Sequence, residues 1–476
     1  MSNIKKPTVL IVGAGLGGLL LGALLERAEI SYIIFERALV VRPLGSGLII
    51  GPNLMPLFEQ LGIMEEFIAL GKATTECIIS REKGGPLCTV STLVHKELTG
   101  YYNYNIPRAL LYDLLLKLVP PHKIHFGERV ISIAETEKKV RIHTSKRDIY
   151  DQKERTYEGE ILVGADGAYS TVRQQLYERL KKEGKLPLTD QEDLPFHSTC
   201  LVGQTRPIDM DVFPEFQQPL CPFYNTMAAN EPFTWIIGAT AQKTITWMVI
   251  HNLDSVSSKA AEQERAWNGE NSEWGPVAAK AMIEQTRHYP LPIGTKKMTM
   301  GDIYDSTPKE LISKVMLEEK VFETWYSGRT VLLGDACHKL NPSGAHGAVT
   351  SMHDALALAN LIYALPSNPT SSDITQAFSE YQTERIPHVM ESFENSQLLS
   401  KFMNRNITGW VAFFLMKGLP GWVFRITKRK MVQNRPTAGW LQEIDVRGTV
   451  APDVSPSTEK ARAVFWKRHQ EGGISR

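Results

Sequence analysis

The sequence predicts an α/β protein with a second, antiparallel domain inserted into it and a helical tail. Three observations carry that reading. An apolar run, Val9 to Val12, breaks into Gly13, Gly15 and Gly18. Two more apolar runs end in short acid-bearing turns, Ile161 to Asp166 and Thr330 to Asp335. Between them, from about 195 to 300, apolar and aromatic stretches such as Thr234–Gly238 and Thr246–Ile250 alternate with turn residues, the pattern of antiparallel strands.

An uninterrupted apolar run of this length is a buried strand. At G-x-G-x-x-G spacing, Gly13 allows a tight turn, Gly15 lets backbone approach a pyrophosphate, and Gly18 lets the next helix pack on the strand. That helix, continuing from Leu19 to Glu26, turns its N–H groups and positive dipole end toward phosphates. A second apolar strand, Tyr32 to Phe35, ends at Glu36, 23 residues after Gly13. An acid there accepts hydrogen bonds from a ribose diol. Together these make a Rossmann-like dinucleotide site, without deciding between NAD and FAD.

Along the chain, Gly45 and Gly47 suggest backbone running close to another group, and a helix ends at Leu61-Gly62. Residues 76–104 read as strands of a different region, with Lys83-Gly84-Gly85-Pro86 as a turn. An apolar helix, Ala109 to Leu118, follows Arg108, which either meets a phosphate or adenosine edge or is a solvated helix-end arginine. Strands are expected near 124–134 and 138–145. Asp166 is a turn residue by default, and a ligand group if its strand shares a sheet with the first. Residues 254–288 read as surface helix and loop. Helices are expected over Val349–Ala364 and about 373–399. The tail segment Gly409–Phe424, with Arg425, Lys428, Arg429 and Lys430 behind it, is short and interrupted by Lys417 and Pro420. It reads as a helical pair packed on the body or as a peripheral membrane contact through 407–430.

Composition is that of an ordinary globular protein: 476 residues, 43% hydrophobic and 22% charged. A formal net charge of +1 gives no bulk electrostatic case for nucleic acid. The five cysteines (Cys77, Cys88, Cys200, Cys221, Cys337) form no C-x-x-C pair, which fits a reducing compartment and argues against a disulfide frame or a zinc site. A strand starting at Thr8 leaves no room for a signal peptide. The expected location is cytoplasmic, with membrane association through the tail left open. His338, His346 and His353 match no metal-site spacing, so no metal is expected.

Three motifs now stand in order: GAGLGG with Glu36, GADGAYSTVR at 164–173, and GDACHKLNPSGAHGA at 334–348. With Pro52-Asn53 and Leu61-Gly62 between them, they resemble the FAD-dependent aromatic hydroxylases, the para-hydroxybenzoate hydroxylase type of flavoprotein monooxygenase. The tail and the His-Lys pair after the third motif resemble the fungal secondary-metabolism branch. The resemblance spans roughly 8–390. It implies non-covalent FAD, with NADPH or NADH as a transient reductant. Gly13, Gly15 and Gly18 would hold the pyrophosphate and Glu36 the adenosine ribose. Gly47 would lie along the cofactor and Arg108 would contact it. Asp166 would sit where FAD and nicotinamide approach, braced by Arg173, and Asp335 would bond the ribityl chain. The loop Pro342–Ala348, with Gly347 and Ala348, would run beside the isoalloxazine. The family has glycine, glutamine and asparagine where this chain has Ala345, His346 and Val349.

The implied domains are a discontinuous FAD-binding domain (1–79, 101–190, 325–390), a substrate domain (80–100, 191–324) and a C-terminal helical segment (391–476). The implied reaction inserts one atom of O₂, through a flavin C4a-hydroperoxide, into an apolar, aromatic or polyene small molecule by hydroxylation or epoxidation. The alternatives are a flavin oxidase or halogenase on the same fold, or an FAD-scaffold protein that binds a lipid or partner. For proton handling the sequence offers three candidates, Tyr224, His197 and His346, each of which also reads as a core or surface residue.

Overall fold

The computed structural model describes residues 7–41, 46–83, 85–146, 154–253, 273–274, 276–341, 347–403, 411 and 421–473. Val9–Val12 sits inside a six-stranded sheet, in the order Tyr326–Ser327, Thr330–Leu332, Ile161–Gly164, Val9–Val12, Tyr32–Glu36, Ile124–Phe126. All pairings are parallel except at the Tyr326–Ser327 edge. A parallel sheet is covered on both faces, which is why its central strands are apolar throughout; Val9, Leu10 and Ile11 are fully buried. Helix Leu16–Arg27 packs against the long helix Gly347–Ala364. A Cβ on Gly17 would lie 2.3 Å from Ser351 Oγ, so glycine sets how closely these helices approach.

The three strands that carry the motifs are neighbours, Val9–Val12 flanked by Ile161–Gly164, and that by Thr330–Leu332. Parallel strands share one carboxyl edge. All three motif turns therefore open on the same side of the sheet, where such folds bind ligands. Beside it, Glu128–Glu135, Val140–Lys146 and Glu154–Gly159 form a small antiparallel sheet.

The second sheet has ten strands. Its main path runs Glu273–Trp274, Ser313–Glu318, Phe196–Gln204, Ile245–Asn252, Phe233–Ala239, Leu220–Met227, Lys72–Arg81, Asn103–Pro107, Gly47–Ile50, with Pro86–Ser91 paired to Lys72–Arg81. It is antiparallel apart from the junction of Leu220–Met227 with Lys72–Arg81, which is parallel. The strand Lys72–Arg81 crosses the expected division at 79/80. Gly47–Ile50 and Asn103–Pro107, expected with the first domain, also hydrogen-bond into this sheet. Residues 93–99, expected among strands, form a helix that ends at Gly100 with φ +83°.

One face of this sheet buries Trp235, Trp247, Phe216, Tyr289 and Tyr304 as a second core. Its other face turns toward the first sheet. Helix Ser371–Met403 crosses the expected boundary at 390. Helix Gly421–Gln433 packs on Leu93–Thr99, with Val432 buried against Leu98 and Val450. Helix Pro456–Gly473 lies on Gly347–Ala364, and Trp440 stacks on Tyr363 at 4.7 Å. Of the expected tail contact, 407–410 and 412–420 fall outside the described residues. Among the described residues no helix is long and apolar enough to cross a membrane.

Candidate active site

The motif turns and the inner face of the large sheet enclose a cavity of about 480 Å³. On one side it is lined by Gly15 to Gly18, Arg37, Asp166, Asp335, Gly347 and Ala348; on the other by Gly47, Asn105, Arg108 and the sheet residues Cys200, Val202, Phe223, Ile236, Met248 and Leu317.

The glycines divide by role. Gly13 has φ +108°, and a Cβ there would meet the Ala165 carbonyl oxygen at 2.3 Å. Gly18 would place a Cβ 2.0 Å from the Gly13 carbonyl oxygen. Both are required by the protein itself. At Gly15 a Cβ meets nothing within 4 Å, so that position faces only the cavity. The helix it opens has no side-chain cap and no acid in its first turn, which leaves its positive end to an anion in the cavity. This is what a pyrophosphate needs, and the residues present fit an FAD.

Glu36 stands at the end of Tyr32–Glu36 and ties the loop together. Its Oε2 accepts from Ala14 N at 3.0 Å and its Oε1 from Ala38 N at 2.8 Å. The next residue, Arg37, lines the cavity. Gly47 comes so close to Asn105 that a Cβ would sit 2.2 Å from Oδ1. Arg108 starts its helix as expected, is exposed, and contributes positive potential at Asp335 and Lys339.

Ser170 caps the helix Thr171–Lys182, and Asp166 braces that cap, accepting from Ser170 Oγ and from Val172 N at 3.2 Å. Burial pushes its carboxyl above the usual range although these bonds oppose it. Arg173 joins two motifs, donating to Ala336 O at 2.9 Å and Ala168 O at 2.5 Å. Asp335 accepts from Lys339 Nζ at 2.6 Å. Burial alone would raise the Asp335 carboxyl; the Lys339 ammonium overcomes it and holds the acid below its usual value.

Beneath Asp335 lies a buried ion cluster. Asp354 is fully buried; it bonds His338 Nε2 at 2.5 Å and Arg385 Nε at 2.8 Å, and accepts from Gly334 N at 3.2 Å. Burial opposes its charge, but His338 and Arg385 together hold it at about 2. Cys337, His338 and Asp354 bring ligand atoms within 4.8 Å, yet Arg385 occupies the second carboxylate oxygen. Burial raises the Cys337 thiol well above its usual range. His353 donates to Asn53 O at 3.1 Å, and burial with Arg385 lowers it to about 3, so it is neutral.

Two proton-handling candidates lie away from the cavity. Tyr224 alternates with Phe223, so its ring packs on Phe216 in the core of the opposite face, where burial pushes the phenol up to about 12. Trp235 and Trp247 share that face. His197 is exposed at an irregular start of its strand. His346 and the loop 342–346 lie outside the described residues, whereas Gly347 and Ala348 begin the helix Gly347–Ala364 at the cavity.

Lining residues to which the sequence reading gave no role are Arg37, Asn105 and Glu318, together with Tyr169 and Lys339 inside the second and third motifs. Tyr169 donates to the fully buried Glu318, and Asn105 donates to Ala239 O and Thr246 Oγ1 at 2.7 and 3.0 Å. Lys339 was visible as the residue after His338 in the third motif. An acid closing the apolar run at 315–318 was the only mark of Glu318.

A family model described as "FAD binding domain" matches residues 6–204 and 297–396. The chain is 27% identical over 412 residues to the FAD-dependent monooxygenase ptmM of Penicillium ochrochloron, covering 85% of this chain and 90% of that protein. To the FAD-dependent monooxygenase nodM of Hypoxylon pulicicidum it is 28% identical over 407 residues, with 84% and 81% covered. The crystal structure of Klebsiella pneumoniae HpxO complexed with FAD and uric acid shares the fold, with a TM-score of 0.68 at 16% identity over 90% of this chain and 97% of that one. The unmatched stretch, 205–296, holds the strands Leu220–Met227, Phe233–Ala239 and Ile245–Asn252 of the second sheet. The chain belongs to the family of this FAD binding domain, the FAD-dependent monooxygenases of the aromatic-hydroxylase type.

Proposed function

We propose that this enzyme uses NADPH or NADH to reduce its FAD and inserts one oxygen atom of O₂ into an apolar small molecule, aromatic or polyene, by hydroxylation or epoxidation. The observation that carries the proposal is the continuity of one cavity. The glycine-rich and acid-bearing turns form one end, and an apolar wall of Val202, Phe223, Ile236, Met248 and Leu317 forms the other.

When bound, FAD supplies the hydride acceptance and oxygen activation that side chains cannot. The chain supplies the rest. The N–H groups after Gly15 would receive the pyrophosphate, and Asp335 would accept hydrogen bonds from the ribityl hydroxyls. The start of helix Gly347–Ala364, which lines the cavity, would offer its positive end to charge that develops on the ring. Asp166, braced by Arg173, shapes the turn at which a nicotinamide approaches. The apolar wall binds substrate through buried area and keeps water from the reacting centre. The relatives' names as monooxygenases support the reaction class.

The visible spectrum of the purified protein tests this, before and after anaerobic NADPH or NADH. Flavin bands that bleach slowly alone and faster with an apolar aromatic or polyene, followed by one-oxygen mass gain in air, are the expected result. Flavin that no nicotinamide reduces, with any candidate present, would overturn the reading.

A further inference from the structure

The cavity carries a charge pattern to which the roles given so far assign no function. Asp335 and Glu318 both line it, and Glu318 is fully buried. Lys339 lines it between them. Its Nζ lies 2.6 Å from Asp335 Oδ2, and its side chain is 18% exposed. Glu318 and Arg108, which line the same cavity, both act on the lysine's charge, the acid favouring it and the arginine opposing it. Lys339 is held there by the short strand His338–Lys339, paired with Lys320–Val321, and by His338, which the buried Asp354 fixes from below. The lysine is thus placed by the backbone and anchored on one side, and its ammonium is directed into the cofactor cavity.

A hydride brings two electrons and one proton, so it adds one negative charge to the group that accepts it. Inside a cavity this small, a neighbouring charge acts over less than a Debye length, roughly 8–10 Å in physiological salt. With Lys339 in place, Asp335 is compensated. Without it, Asp335 and Glu318 would face the newly charged flavin with one cation fewer in a wall that Arg37 and Arg108 also line.

We infer that Lys339 is a redox-positioning residue: its ammonium, paired with Asp335 inside the FAD cavity, favours the reduced cofactor over the oxidised one and so raises the flavin's midpoint potential. The residue acts through charge, so an arginine serves in its place and an uncharged residue of similar length does not. The inference rests on the reduction step proposed above. It is read without any nicotinamide, so its failure is distinct from failure of that step.

The test is the two-electron midpoint potential of the FAD-saturated protein, titrated with dithionite against redox dyes, for wild type, Lys339→Gln, Lys339→Met and Lys339→Arg. Glutamine keeps a donor to Asp335 while removing the charge, which keeps the cofactor in place. The expected result is a tenfold loss of preference for the reduced flavin in both uncharged variants, about 30 mV for a two-electron couple, with Lys339→Arg close to wild type. Oxidised FAD should bind Lys339→Gln nearly as tightly as wild type. Wild-type potential in Lys339→Gln overturns the inference. So does a matched weakening of oxidised and reduced FAD, since the lysine would then be only a strut for Asp335.

Discussion

Replacing Asp354 with asparagine removes one charge from the base of the third motif and leaves its shape. The cost follows from two features of the structure. First, the carboxylate is held at about 2, against a usual 3.8, in a fully buried position. That difference is worth ~2.5 kcal/mol of folding stability at neutral pH. Second, the substitution strands Arg385, which is 2% exposed, and His338, which is fully buried; orphaning a buried charge costs about 3–5 kcal/mol. The expected loss is therefore ~2.5–5 kcal/mol. The sign with pH is fixed. A depressed acid stabilises the fold above its unfolded pKa and loses that contribution as pH falls from about 4 toward 2. Urea unfolding followed by tryptophan fluorescence reads the difference at neutral pH, and repeats from pH ~4 down toward ~2 follow its decline. Because Asp354 also holds the Gly334 amide, the variant should release FAD before it unfolds. Equal urea midpoints at neutral pH would refute the argument, as would a deficit that stays constant as the pH is lowered.

The geometry of the cavity and its surroundings gives four further outcomes. Gly15→Ala meets no protein atom, so it should melt like wild type without FAD yet bind FAD at least ~10-fold more weakly, whereas Gly18→Ala, with its Cβ 2.0 Å from a carbonyl oxygen, should lower the melting temperature of the cofactor-free protein as well. Arg173→Lys cannot reach both Ala168 and Ala336, and losing one charge-assisted bond of ~1.5–3 kcal/mol should weaken FAD binding about tenfold or more in a fluorescence titration. Phe223→Ala should change KM and substrate preference with little effect on stability. Tyr224→Phe should leave turnover per bound flavin unchanged, and a fall in turnover would place that phenol in the chemistry after all.

The strands that carry the motifs were readable because the chain writes them locally. Val9–Val12, Ile161–Gly164 and Thr330–Leu332 are each buried on both faces, so each is an unbroken apolar run ending at glycine. Nothing local records that Lys72–Arg81 pairs with Leu220–Met227, since those segments lie far apart in sequence and either reads equally well as an edge. The same limit applies to Phe223 and Tyr224. Alternation says that they point to opposite faces. Both faces are covered, so composition does not say which one faces the cavity. Glu318, Tyr169 and Lys339 come from three separate elements, and only folding makes them neighbours. Glu36 was placed correctly at its strand end, but its hold on the Ala14 and Ala38 amides needs the turn around it to be seen.

The parallel junction between Lys72–Arg81 and Leu220–Met227 limits how this protein can be recombined. The substrate-facing sheet is woven from stretches on both sides of the Ile161–Gly164 strand, so it is not a cassette between two cut points. Grafting only 191–324 from a relative would join foreign strands to native Gly47–Ile50, Lys72–Arg81 and Asn103–Pro107, with mismatched registers along the seam. A transplant that altered substrate choice would have to carry those three strands as well. With them would come Gly47 and Asn105, residues that also line the cavity at which the motif turns open. Substrate range and cofactor grip in this chain are therefore inherited together.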